Sequence, residues 1–139
     1  LRYEGCLRAL AEAGISFPES SYETVRYTYR EGYRAAKALL ERVPGFTALF
    51  AMSDVMALGA IRALRDLGKR VPEDISVVGF DGLSIGEYTV PRLSTVSQWV
   101  EQLAEESMLL LRGSIEDGAA AEHRIVPVDL LMKESVRKL

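Results

Sequence analysis

The stretch VPEDISVVGFD, residues 71–81, decides the fold class. Residues 75–80 form an apolar run that starts after a turn and ends at the polar Asp81, which is typical of a strand buried on both faces. A second apolar run at residues 47–52 precedes helical spacing at residues 53–67. Buried strands separated by helices predict an α/β fold in which a parallel sheet is flanked by helices on both faces.

The alternation of helices and strands extends outward from this stretch in both directions. Apolar spacing predicts helices at residues 1–13, 30–43, 53–67 and 100–112, and strands at residues 22–27, 47–52, 75–80, 93–98 and 124–132. Gly113 is expected to end the last helix.

Composition narrows the classes of protein that fit. The chain has 139 residues, of which 48% are hydrophobic and 27% charged, as in one soluble domain or a piece of a larger protein. No apolar run approaches the roughly 20 residues of a membrane span. Acidic and basic residues are interspersed and the net charge is −3, so the chain itself is not expected to bind DNA.

The single cysteine and single histidine argue against metal and thiol chemistry. Cys6 is expected to be a buried, inert thiol, and His123 to lie on the surface. Neither a zinc site nor a cofactor is predicted.

Short polar side chains follow three of the predicted strands. Ser53 and Asp54 come after the first, Asp81 after the second and Gln98 after the third. Because parallel strands deliver their carboxyl ends to one edge of a sheet, these groups are expected to meet where such folds bind ligands. Carboxylates and amides can bond several hydroxyls of a polyol. In the alternative, Ser53 and Asp54 only cap their helix and Asp81 only begins a turn.

Enzyme signatures are absent from the sequence. It contains neither a dinucleotide-binding glycine motif nor a phosphate loop, and no serine stands in a nucleophile elbow. Gly59 lies inside a helix, where it is expected to permit close packing. Asp54 and Asp81 are two carboxylates of the kind that form an acid–base pair, but no residue supplies a leaving-group partner, so an enzyme is not predicted.

Three motifs together resemble the LacI/GalR family of bacterial repressors. They are SDVMALGA at residues 53–60, VPEDISVVGFD at 71–81 and PRLSTVSQ at 91–98, and their order and spacing agree with that family. The resemblance covers essentially the whole chain.

The resemblance implies a division of the chain. In that family a helix-turn-helix head is joined by a hinge to a two-lobed sensor of type I periplasmic-binding-protein fold. Residues 1–94 would be the C-terminal lobe, truncated at its start with its first strand missing. Residues 95–121 would cross to the N-terminal lobe and contribute a helix to it, and residues 122–139 would return.

The resemblance also assigns effector contacts. Arg2 stands where an arginine clamps the effector, and Tyr27 where an aromatic ring packs on it. Asp81 matches an aspartate that accepts bonds from ligand hydroxyls, and Gln98 matches a glutamine at the lobe crossing. Ser53 stands where asparagine is frequent. The alternatives are a surface ion pair for Arg2 and a core position for Tyr27.

The function implied is the effector-binding part of a cytoplasmic transcription regulator. Its partners would be a small polar effector, a sugar or related metabolite, and operator DNA reached only through a head outside this chain. The alternative is a periplasmic sugar-binding protein of an ABC transporter, whose contact positions would be the same.

The helix at residues 53–67 carries more apolar residues than one face can bury, and residues 83–90 add others. In the LacI family these two segments form a twofold interface, so a homodimer is expected. The predicted interface comprises Leu58, Ile61, Leu83, Ile85, Tyr88 and Thr89. The alternatives are a monomer core, or association through an unpaired sheet edge.

Overall fold

The computed structural model describes residues 2–116 and 122–137. Its elements, in chain order, are helix α1 (Arg2–Glu12), α2 (Tyr29–Arg42), strand β1 (Ala48–Phe50), α3 (Asp54–Asp66), β2 (Ser76–Asp81), β3 (Ser94–Ser97), α4 (Val100–Glu116) and β4 (Asp129–Leu131). Short 3₁₀ helices lie at Glu19–Ser21 and Ser84–Tyr88.

The four strands form one sheet in the order β1-β2-β3-β4. The first three are parallel: Leu49 lies opposite Val77, and Gly79 opposite Thr95. The fourth strand returns antiparallel to β3, with Leu130 opposite Val96. The predicted α/β fold on a parallel sheet is confirmed, and the last strand makes the sheet mixed.

Helix α3 holds the fold together because it contacts both its neighbouring helix and the sheet. Ser53 begins it, with Oγ accepting a hydrogen bond from the amide of Met56. Its inward face is small and apolar, so α2 and β2 pack closely against it. A Cβ on Gly59 would lie 2.1 Å from the carbonyl oxygen of Tyr29, which confirms that this glycine permits the close approach of α2.

The hydrophobic core lies between α3 and the strands. Its buried members are Ala51, Ala57, Leu64, Ile75, Val77 and Leu93. The returning end of the chain is tied to this core by Ser135, whose hydroxyl donates to the carbonyl of Val77 and accepts from the amide of Ser94. These bonds hold the amino ends of β2 and β3 side by side.

Two predictions of local structure are wrong. Residues 22–27 form no strand. Tyr22 has extended dihedral angles, but the contact that holds this part of the chain is the Arg42 side chain, which donates to the carbonyls of Ser20 and Tyr22. Helix α4 runs past Gly113 to Glu116, because Gly113 does not adopt the positive φ with which a glycine ends a helix.

The two residues with metal-binding or redox potential differ in their surroundings. His123 is exposed, as expected. Cys6 is only half-buried, not buried as predicted, and partial burial raises the pKa of its thiol.

Among the described residues, no helix has both the length and the hydropathy that crossing a membrane requires.

Candidate functional site

Three of the predicted contact residues meet at the carboxyl ends of the strands. Gln98 Nε2 donates to Asp81 Oδ1 at 2.8 Å, and Arg2 Nη2 lies 3.3 Å from the same oxygen. All three side chains are partly exposed, so their remaining donors and acceptors are open to a ligand. We refer to Arg2, Asp81 and Gln98 as the polar triad.

Backbone and aromatic groups position the guanidinium of Arg2. Its Nη1 donates to the carbonyl of Met52 at 2.6 Å, just beyond β1. Its central carbon lies 3.9 Å from the ring centroid of Phe80, a cation–π arrangement. Arg2 therefore links α1 to the ends of both β1 and β2, and its planar fork is held in one orientation.

The backbone around the polar triad is strained. Of the described non-glycine residues, Asp81 and Trp99 have positive φ, at 121° and 48°. Such conformations cost about 1–3 kcal/mol each and are concentrated at functional sites. Trp99 is held by its indole N–H, which donates to Asp129 Oδ2 at 2.7 Å. One strained residue, Asp81, accepts the hydrogen bond from Gln98, and the other, Trp99, directly follows Gln98 in the chain.

Asp54 lies beneath the triad and is fully buried. Its Oδ1 accepts from the hydroxyl of Thr95 at 2.6 Å, and its Oδ2 accepts from the amide of Leu83 at 2.7 Å. Burial raises the pKa of this carboxyl above its ordinary value, while the Thr95 and Leu83 bonds act in the opposite direction. Asp54 thus joins α3 to β3 and to the segment that follows β2.

The arrangement suits the binding of a neutral, hydroxyl-rich molecule. It offers a carboxylate acceptor, guanidinium and amide donors, and one compensated pair of opposite charges. Within residues 2–116 and 122–137, no three His, Cys, Asp or Glu side chains cluster in a way that would hold a metal ion.

Comparison with known proteins identifies the family. Residues 1–136 match the periplasmic binding protein-like domain. The chain belongs to that family. The transcriptional regulator CelR of Thermobifida fusca is 37% identical over 96% of this chain and 40% of its own length. The structure of a CelR–cellobiose complex aligns over 96% of this chain and 41% of that chain, with 36% identity and a TM-score of 0.91.

A second similar solved structure is also that of a transcriptional regulator. A LacI family regulator from Enterococcus faecium with bound ribose has a TM-score of 0.88 and 30% identity, over 99% of this chain and 51% of that chain. The resemblance to LacI-type regulators is therefore confirmed. The chain spans about 40% of the length of the curated relatives it matches.

The structure separates the LacI-type contact positions into two groups. Arg2, Asp81 and Gln98 are brought together with polar groups available. Ser53 and Asp54 are buried, and their side-chain oxygens accept bonds from within the protein, which is the structural alternative raised for them.

Tyr27 makes no hydrogen bond or ring contact with the polar triad in the described part of the chain. It is 59% exposed and lies beside a cavity that Met52 also lines. Its surroundings therefore do not fit the core alternative.

Sequence reasoning missed the groups that support the polar triad. The sequence pattern places Phe80 only in a buried strand, although its ring packs against the Arg2 guanidinium. The carbonyl of Met52 left no signal, since a backbone acceptor is the same at every position. Thr95, the partner of Asp54, is one of three hydroxyl residues in β3, and no local pattern distinguishes it from Ser94 and Ser97 as that partner.

Proposed function

We propose that this chain is the effector-binding part of a LacI-type transcription regulator, and that the effector is a saccharide. The observation that carries the proposal is the polar triad, in which Asp81 accepts from Gln98 beside the Arg2 guanidinium at the carboxyl edge of the sheet. Asp81 Oδ2 accepts no hydrogen bond from the described residues and is available to a ligand hydroxyl.

Helix α4 supports the proposed division of the chain into 1–94, 95–121 and 122–139. It has no buried residue. Five of its apolar side chains are 41–73% exposed, namely Leu103, Met108, Leu109, Leu111 and Ile115. A helix with such a face needs a partner. We place that partner in a second lobe, with the effector cleft between the lobes and the polar triad on this side.

The proposed mechanism is closure of the two lobes around the effector. Gln98 and Trp99 lie where β3 leaves the sheet for α4, so a ligand held by Gln98 contacts the segment that joins the lobes. A ligand shifts the open–closed equilibrium only by its difference in affinity for the two arrangements. Operator affinity would change by the same coupling free energy.

A cytoplasmic regulator is preferred here over a transport protein or an enzyme. The reported relatives are regulators, and the reported structures hold cellobiose and ribose. The structural role of Asp54 removes it as an acid–base partner for Asp81, since both its oxygens accept bonds from the protein. Operator contact is assigned to a head outside residues 1–139.

The proposal predicts that the full-length protein binds a saccharide and that this binding changes its affinity for operator DNA. From a panel that includes cellobiose and ribose, at least one sugar should bind with Kd below about 1 mM and alter operator affinity about five-fold or more. Residues 1–139 alone should give no sequence-specific shift at physiological salt, because their net charge is −3. Calorimetry and gel shifts measure these outcomes.

Either of two results would contradict this function. One is a sequence-specific gel shift by residues 1–139 alone. The other is a full-length protein for which no sugar of a broad panel registers in calorimetry or alters the gel shift.

We further propose a homodimer in which α3 and residues 83–90 meet their copies. Tyr88 is 83% and Ile85 44% exposed. Leu58 and Ile61 are half-buried, packing partly on the core and leaving the rest of each side chain uncovered. Leu83 and Thr89 are half-buried as well, and they complete the predicted patch.

Replacing one interface side chain with a charge should dissociate the dimer. Leu58→Lys and Tyr88→Lys are expected to sediment as monomers, because a buried unpaired ammonium costs several kcal/mol. Leu67→Lys is the matched control: Leu67 caps α3, is 40% exposed and lies outside the proposed interface. If both interface variants sediment as the unmodified protein does, the α3 interface is wrong and association through the sheet edge gains support.

A further inference from the structure

The edge of the sheet that carries the polar triad continues past it to β4. Asp81 of β2 lies opposite Ser97 of β3, and Ser97 in turn lies opposite Asp129 of β4. Because β4 runs antiparallel, its amino end lies beside the carboxyl end of β3. Two strand spacings, about 9–10 Å in all, therefore separate the backbone of Asp81 from that of Asp129 along this edge.

The side chains of Gln98 and Trp99 reach opposite neighbours of β3. Gln98 Nε2 donates to Asp81 on β2, whereas the indole N–H of Trp99 donates to Oδ2 of Asp129 on β4. The backbone amide of Trp99 also donates to Ser97 Oγ at 3.3 Å, which holds the turn that follows β3. The polar triad and the pair formed by Trp99 and Asp129 are thus consecutive along one edge of the sheet.

The ring of Trp99 does not serve the hydrophobic core. The residue is 41% exposed, and it belongs to neither of the core clusters that the described residues form. Its φ of 48° is an outlier for a bulky side chain, and such strain persists only where the surrounding structure fixes it. The bond to Asp129 fixes the indole at its edge and leaves the exposed part of the ring open to a ligand.

Trp99 and Asp129 together suit the two kinds of surface that a sugar ring presents. The C–H groups on a face of the sugar are apolar and pack against an aromatic ring, while the hydroxyls at its rim bond to a carboxylate. Asp129 is exposed, and in the described part of the chain its Oδ1 accepts no hydrogen bond. The pair therefore offers an apolar surface beside an available acceptor.

We propose that Trp99 and Asp129 form a second sugar subsite, and that the effector is an oligosaccharide of at least two linked rings. The polar triad holds one ring, and the next ring packs on Trp99 with a hydroxyl bonded to Asp129 Oδ1. The separation of two strand spacings exceeds the reach of one sugar ring and fits two linked rings. The inference rests on the proposed function, because it extends the saccharide site.

The test compares sugars of one ring and of two rings on the full-length protein. Calorimetry is run on a panel of disaccharides, each paired with its own monosaccharide, including cellobiose with glucose and lactose with galactose. At least one disaccharide should bind at least about ten-fold more tightly than its monosaccharide. Trp99→Asn removes the ring at a position where asparagine tolerates a positive φ, and it should lower this preference about ten-fold.

Two further variants separate packing on the ring from a merely structural role. Trp99→Phe keeps an aromatic face but has no indole N–H, so it should retain the preference for the disaccharide within about three-fold. Leu130→Asn is the matched control: Leu130 follows Asp129 in β4, is 57% exposed and lies on the opposite face of that strand. Its preference should equal that of the unmodified protein.

Three results would overturn the second subsite and leave the proposed function standing. One is a monosaccharide that binds while no disaccharide binds more tightly. Another is an unchanged preference in Trp99→Asn. The third is an equal loss in Trp99→Phe and Trp99→Asn, which would assign the effect to the indole hydrogen bond. Absence of binding by every sugar of the panel would instead contradict the proposed function itself.

Discussion

Replacing Asp54 with alanine is expected to lower the free energy of unfolding by roughly 2–4 kcal/mol. The substitution leaves two buried donors without acceptors, the amide of Leu83 and the hydroxyl of Thr95. Urea unfolding measures this change, and the single tryptophan, Trp99, provides a signal beside the site.

Two matched variants separate the role of the hydrogen bonds from that of the charge. Asp54→Asn keeps an acceptor for the amide of Leu83 and can donate to Thr95, so it should be far less destabilising than alanine. Asp66→Ala removes a carboxylate from the same helix, where it pairs with Arg62 at the surface, and should cost under about 1 kcal/mol. If Asp54→Ala is no worse than Asp66→Ala, the proposed role of Asp54 is wrong.

The same residue predicts a pH dependence of stability. Burial raises the pKa of Asp54 in the folded state above its ordinary value of 3.8. The folded protein therefore binds this proton more readily than the unfolded chain, and the contribution of Asp54 to stability declines as pH rises from about 4 through the folded pKa. The Asp54→Asn variant should lack this decline, which unfolding curves across that range will show.

Replacing Asp81 with alanine is expected to weaken saccharide binding by the full-length protein about ten- to hundred-fold. A hydrogen bond to a charged group contributes roughly 1.5–3 kcal/mol, and loss of the carboxylate also leaves Arg2 and Gln98 without their shared acceptor. The change in operator affinity that the sugar produces should become smaller in parallel. Calorimetry on the sugar identified by the panel provides the measurement.

Asp81→Gly is the informative control for folding. The φ of 121° at this position strains any side chain but suits glycine, so this variant loses the carboxylate without the backbone strain. Its stability should match or exceed that of the unmodified protein while its affinity falls as in Asp81→Ala. Affinity unchanged in both variants would exclude Asp81 from the effector site.

The sequence by itself determined the fold class and identified the residues that lie at the carboxyl edge of the sheet. Runs such as 75–80 are apolar throughout because a parallel strand is buried on both faces, and this pattern is visible without any partner. A polar residue directly after such a run marks the carboxyl edge, which placed Asp81 and Gln98 correctly. Local chemistry also set the start of α3 at Ser53.

The tertiary structure alone decided which carboxylate is buried and which stays partly exposed at the edge of the sheet. Asp54 and Asp81 look alike in sequence, each following an apolar strand. Asp54 turns inward because donors 29 and 41 residues away, on Leu83 and Thr95, reach its two oxygens. Asp81 stays at the edge because Arg2 and Gln98 meet it there. Partners so far along the chain leave no local periodicity.

The same limit explains the error at residues 22–27. Their alternation is genuine and persists as a burial pattern, but a strand exists only where a neighbour completes its hydrogen bonds. In this structure the Arg42 guanidinium donates to the Tyr22 carbonyl, and a cavity is lined both by this segment and by β1, so no strand pairs with residues 22–27. Sequence pattern determines a residue's preference for extended geometry, and the tertiary neighbour determines whether that geometry becomes part of a sheet.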